Sequence, residues 1–123
     1  MYGPQIKSAK PLLRYRLAPY TFIILGEIES IGPIGYLYIL GAVKDGEKAP
    51  NLFVSSEINS TVGKWGGGSH FLCVFDQEGH WNMGDDDQWA NLDIFAAKAL
   101  EVATERIGLE GSPKLYGLEK GDQ

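Results

Sequence analysis

The chain has 123 residues, 44% hydrophobic and 22% charged, with a net charge of −5 and one cysteine. Those totals fit a single soluble domain with one core, and they exclude a wholly disordered chain and an internal disulfide. They also disfavour nucleic acid as a partner of the body of the protein. All sixteen acids but only seven of the eleven bases fall in residues 27–123, and phosphate binding needs clustered Lys and Arg.

Residues 1–19 hold Lys7, Lys10, Arg14 and Arg16, no acid, and Pro4, Pro11 and Pro19. Proline blocks a long helix and pushes its neighbours toward extended backbone. The prediction is a basic N-terminal arm or short strand, ordered only over LLRYRL (12–17). The next apolar stretch is short and ends at Glu27 and Glu29, which does not fit a secretory signal. The longest apolar stretch, 34–43, is about half the ~20 residues a membrane helix needs. With a lone cysteine, this predicts a cytoplasmic protein that does not enter a membrane.

The domain proper is expected over 20–108. YTFIILGEIES (20–30) is rich in β-branched and aromatic residues and predicts a strand with Tyr20, Phe22, Ile24 and Ile28 on one face. IGYLYILGAVK (34–44) is apolar on both faces, as a central strand is. Tyr36, Tyr38 and Leu40 share one of its faces, and Gly35 and Gly41 mark the other for a close approach. LFVSSEI (52–58) puts Phe53, Ser55 and Glu57 on its wetter face. SHFLCVFD (69–76) places His70, Leu72, Val74 and Asp76 on one side and Phe71, Cys73 and Phe75 on the other. QEGH then turns the chain into a short strand, HWNM (80–83).

A long helix is predicted over 85–108. Trp89, Leu92, Ala96, Ala99, Leu100, Ala103 and Ile107 form an apolar stripe, opposed by Asp93, Lys98, Glu101, Thr104 and Glu105. Asp85 and Gln88 have capping-box spacing, and Gly108 is a helix stop. Ile94 falls on the polar side. Residues 109–123 form a loose tail, with KLYGL (114–118) docked as a short segment. Strands first and one helix late predict an α+β fold: an antiparallel meander of four to five strands with one long C-terminal helix packed on one face.

Chemistry concentrates in residues 60–89, which hold both histidines, the cysteine, all three tryptophans and three consecutive aspartates. His70 and Cys73 point to opposite faces of a strand and so cannot share an ion. No Cys or His pair has a close zinc-ligand spacing, and no calcium loop is present, so neither a metal nor a cofactor is predicted. STVGKWGGGS contains Gly-Lys but lacks the first glycine and the Ser/Thr of a phosphate loop, and it leads into a strand. Cys73 in mid-strand is an inert core thiol. Ser69 beside His70 lacks a third orienting group. Asp85, Asp86 and Asp87 suit a helix start, although three exceed what capping needs. Trp81, Trp89 and Trp65 are placed at one end of the molecule, with Trp65 the exposed anchor.

The expected function is a small acidic protein-binding module without catalytic activity: an inhibitor, an immunity-type antidote or an adaptor. Its partner is a protein, basic in charge, or a second copy of the chain in a homodimer. The partner-binding residues are Lys64, Trp65, Gly66 and Gly67 of the glycine-rich loop, with Asp85, Asp86 and Asp87 steering the encounter. The alternative is a small enzyme whose His70, His80 and Asp76 supply acid–base chemistry around residues 70–89.

Overall fold

The computed structural model describes residues 3–60 and 68–118. Seven strands, β1 (Ile6–Leu17), β2 (Tyr20–Ser30), β3 (Tyr36–Lys44), β4 (Leu52–Ile58), β5 (His70–Phe75), β6 (His80–Asp86) and β7 (Lys114–Leu118), are joined by a 3-10 turn (Asp87–Ala90) and one helix, α1 (Leu92–Ile107). They form one antiparallel sheet in the order β6-β5-β4-β3-β2-β1-β7. Strands β1 to β6 are a meander of local hairpins. The helix packs across β3 and β4 and returns the chain to the far edge, where β7 pairs with β1.

The α+β antiparallel architecture is as predicted, but the strand count is seven rather than four to five. The difference lies at the two ends of the chain. The prolines that predicted an arm do not stop β1 from pairing with β2 along its length. Pro11 stands at a register shift, and β7 covers only Leu13 to Arg16 of β1. The ring therefore sits at a bulge beyond the part of β1 that is paired on both sides, the position proline tolerates in a sheet. Arg16 fastens this strand with a two-pronged ion pair to Asp45, both contacts at 2.7 Å. KLYGL, expected as a docked segment, is β7.

Two layers of core flank the sheet. Under the helix lie Phe22, Ile24, Leu40, Ala42, Val54, Leu72 and Val74, met by Phe95, Ala96, Ala99 and Ala103 of α1. The buried arc of the helix is wider than the predicted stripe. It adds Phe95, Val102 and Thr104, because the helix lies on a broad sheet rather than on one neighbouring helix. Thr104 was predicted on the polar face. Its hydroxyl donates to the Leu100 carbonyl at 2.9 Å, so burial costs it no hydrogen bond. Ile94 is exposed, as its position predicted.

The second layer, on the face without a helix, is Tyr36, Ile39, Cys73 and Phe75, with Ile6, Ile28, Phe53 and Phe71 around them. Two residues change sides relative to the prediction, and each lies next to an irregularity. Glu27 has φ of 48° beside a shift in the β1–β2 register, which turns Ile28 to the helix-free face. A register shift between Tyr36 and Tyr38 separates those two rings, so Tyr36 joins the helix-free layer while Tyr38 packs at a tilt against Phe95. One extra residue in a period-two strand reverses the facing of the residues beyond it. The N-terminal segment closes over this layer: Gly3 packs on Phe53, Gln5 hydrogen-bonds through its backbone to Tyr36, and the Gln5 carbonyl accepts from Ile31 N–H at 3.1 Å.

The helix begins later than predicted. Asp85 and Asp86 belong to β6, Asp87 opens the 3-10 turn, and the N-cap of α1 is Asn91, whose Oδ1 accepts from Ile94 N–H at 3.0 Å. Asp86 caps the 3-10 turn, accepting from Gln88 N–H at 2.8 Å. The C-terminal stop is as predicted: Gly108 has φ of 89°, a left-handed value that favours glycine. Among the described residues no helix is long and apolar enough to cross a membrane.

Candidate functional site

The β2–β3 connection (31–35), the end of β4 and residues 59–60 form one end of the sheet. A cleft of about 570 Å³ lies there, lined by Pro33, Ile34, Gly35, Glu57, Ile58 and Phe71 among others. Ile34 and Ile58 of this lining remain 45% and 53% exposed, and Ile31 in the same connection is 67% exposed. Acids outnumber bases at this end: Glu27, Glu29, Glu57, Asp85, Asp86 and Asp87 belong to the segments that terminate here, against Lys7 and Lys10 at the start of β1, where Lys7 meets Glu29 at 3.7 Å.

Of the predicted partner-binding residues, Lys64, Trp65, Gly66 and Gly67 lie outside the described residues. Asp85, Asp86 and Asp87 each have an intramolecular hydrogen bond. Asp85 Oδ2 accepts from Gly68 N–H and Asp87 Oδ1 from Ser69 N–H, both at 2.8 Å, while Asp86 caps the 3-10 turn. Asp85 and Asp87 thus secure the C-terminal stem of the glycine-rich segment, while Asp86 serves the 3-10 turn. Asn59, 3% exposed, completes the clamp by donating from Nδ2 to the Gly68 carbonyl at 2.8 Å and from its backbone N–H to the Ser69 carbonyl. Gly68 is required by space: a Cβ there would overlap the backbone N and Cα of Asp86.

The acid–base candidates are spread apart. His70 pairs with Asp86 at one end of the β5–β6 hairpin, and His80 pairs with Phe75 at the other. They also face opposite sides, because His70 shares the side of Leu72 and Val74 whereas His80 stacks on Phe75 at 4.3 Å. Burial pushes the His70 imidazole below its ordinary value, with the Asp87 charge acting the other way. Ser69 Oγ lies 2.7 Å from His70 Nδ1. Asp76 is engaged at the hairpin turn, where Oδ1 accepts from Glu78 and Gly79 N–H and Oδ2 meets Arg106 at 3.3 Å. Trp81 carries the Arg106 guanidinium over its ring at 4.4 Å, beside the last turn of α1, whereas Trp89 precedes the first turn. A helix of this length spans about 24 Å, so these two tryptophans are not at one end of the molecule as predicted.

The helix-free face holds a polar group that the sequence did not bring together. Glu57 is 8% exposed, and Ser55 Oγ donates to its Oε2 at 3.4 Å. His80 Nε2 stands 3.8 Å from the same oxygen. The Cys73 thiol, 1% exposed, completes the group, and the ligating atoms of Glu57, Cys73 and His80 all lie within 4.8 Å of one another. Burial first, then the charge and hydrogen bond of Glu57, push the thiol up to about 12, with Ser55 opposing. Tyr36 is raised by burial and by the same carboxylate. The faces of β4 and β5 were legible in the sequence. Their register was not, because the long connection between them does not specify that Ser55 meets Cys73.

Comparison of the chain with protein-family models, with curated proteins and with solved structures returns no match.

Proposed function

We propose that this protein is a non-catalytic binding module that captures a basic segment of a protein partner at the β2–β3 and β4–β5 end of the sheet. The observation that carries this is the pair Ile34 and Ile58, both exposed on the lining of one cleft at the acidic end of the molecule, with Ile31 exposed in the same β2–β3 connection. An apolar patch rimmed by charge is the signature of a recognition site. The acidic rim steers a Lys- or Arg-rich segment, and the isoleucines supply the contact that holds it. Lys64, Trp65, Gly66 and Gly67 lie in the connection that borders this end and are proposed as its further contacts. Asp85, Asp86 and Asp87 contribute field there, and the hydrogen bonds of Asp85 and Asp87 fix the stem of that connection.

The absence of a catalytic role is supported by the separation of His70 from His80 and by the ion pair that engages Asp76. A cytoplasmic setting accords with the buried free thiol. Peptide display selected on the intact protein tests the proposal. Enriched sequences are expected to place a large apolar residue between Lys or Arg, to bind less at high salt, and to be lost on Ile34→Asp with Ile58→Asp. Enrichment of neutral sequences, or equal binding by the double variant, refutes it.

A second occupant is favoured by one feature, the outermost strand β7, which exposes Leu115 at 51% and Tyr116 at 57%. An unpaired edge of this kind can add a strand from another copy. Sedimentation showing a dimer that Leu115→Lys dissociates is the expected outcome of that reading, and a monomer at all concentrations removes it.

A further inference from the structure

We propose that Glu57, Cys73 and His80 form a site for a zinc-type divalent ion on the helix-free face, with water as the fourth ligand. The three come from neighbouring strands β4, β5 and β6. Zinc bonds of about 2.0–2.3 Å set neighbouring tetrahedral ligand atoms roughly 3.4–3.7 Å apart. The His80 Nε2 to Glu57 Oε2 separation is already 3.8 Å, and no pair in the trio exceeds 4.8 Å. The remaining closure falls to His80, the one member of the trio whose side chain is part-exposed, at 43%.

The surroundings fit such a site. Phe75 stacks on the His80 ring with 7° between the planes, which holds the imidazole edge toward the carboxylate. Ser55 donates to Glu57 Oε2 and orients it, as outer-shell partners do around metals. A carboxylate this deeply buried needs a compensating charge. Its ion-pair contact with His80 is long at 3.8 Å, so a cation between them makes a better partner. The mixed thiolate, imidazole and carboxylate set selects zinc or cobalt over magnesium and calcium, which take oxygen ligands. On binding, the Cys73 sulfur forms the metal bond and its proton passes to solvent. Three protein ligands leave one coordination position for water, as in open zinc centres. The sequence expectation of no metal rested on the opposite facing of His70 and Cys73, on the lack of a close zinc-ligand spacing and on the lack of a calcium loop, whereas His80 is the imidazole that shares the face of Cys73.

Titration of the full chain with Co²⁺, followed by its absorption spectrum, tests the proposal. Saturation at one equivalent is expected, with a thiolate-to-cobalt charge-transfer band that Zn²⁺ displaces. That band is expected to vanish in Cys73→Ser and in His80→Asn. His80 is exposed, so its substitution leaves the fold intact by circular dichroism even where a change at Cys73 does not. A spectrum without the thiolate band, or a band that survives in folded His80→Asn, overturns the site. Neither result depends on the partner-binding proposal, because no partner is present.

Discussion

On the face under α1, Phe22, Ile24, Leu40, Val54, Val74 and Phe95 are wholly buried, and Ser56 is tied to the Trp89 carbonyl at 2.8 Å. On the opposite face, Ile39, Cys73 and Phe75 are almost as buried, yet they surround Ser55 and Glu57 and end at a half-exposed histidine. Both layers sit on the same strands. The first is closed by a helix whose small residues, Ala96, Ala99 and Ala103, let it approach the sheet, and its content is nearly all carbon. The second is closed by the N-terminal segment and keeps a carboxylate, a thiol and an imidazole in contact. Apolar burial stabilises in proportion to area, whereas a buried charge costs stability unless it is well paired. The helix side therefore carries most of the stability, and the helix-free side holds the buried polar group.

The largest test of this division is Phe95→Ala. The ring is fully buried and packs at a tilt against Tyr38, so a loss of about 3–5 kcal/mol is expected on urea unfolding, in the range for large-to-small core changes. Phe53→Ala on the other face, where the ring is half-buried, is expected to cost clearly less. Equal losses would break the comparison.

Gly68→Ala addresses the clamp at the β5 stem. The added methyl overlaps the Asp86 backbone, and overpacking of this kind costs about 1–3 kcal/mol. Faster hydrogen exchange at the Gly68 and Ser69 amides, whose acceptors are Asp85 and Asp87, is the accompanying local signature. Unchanged exchange would remove the clamp as their role.

Glu57→Met separates stability from chemistry most sharply. Replacing a buried charge by an apolar side chain of similar size is often neutral or stabilising. An unchanged or raised melting temperature is expected, together with loss of the cobalt signal. A large loss of stability would place Glu57 among the supports of the fold.

The smallest effect shows itself only in alkaline solution. The Cys73 thiol ordinarily titrates near 9.0 and is pushed to about 12 in the folded protein. Between those values the unfolded chain releases a proton that the folded one keeps. The contribution is therefore fully present below pH 9.0, falls as pH rises through that window and is gone above about 12. Cys73→Ala is expected to flatten the alkaline part of the stability curve. Slow alkylation of the native thiol at neutral pH, with rapid alkylation after unfolding, checks the same burial.

Side-chain alternation and local turn chemistry were enough to locate most of the elements. The strands at 20–30 and 52–58, the opposite facing of His70 and Cys73, the helix stop at Gly108 and the exposure of Ile94 come from period-two and period-3.6 patterns that need no distant contact. Register and pairing were decided only by tertiary structure. A bulge near Glu27 and another near Tyr36 moved Ile28 and Tyr36 across the sheet, β1 became a strand by pairing with β2, and β7 by pairing with β1. The meeting of Glu57, Cys73 and His80 depends on how β4, β5 and β6 slide against one another. A strand pattern specifies which side a residue faces, but its neighbour on the next strand is set by long-range packing that no local window contains.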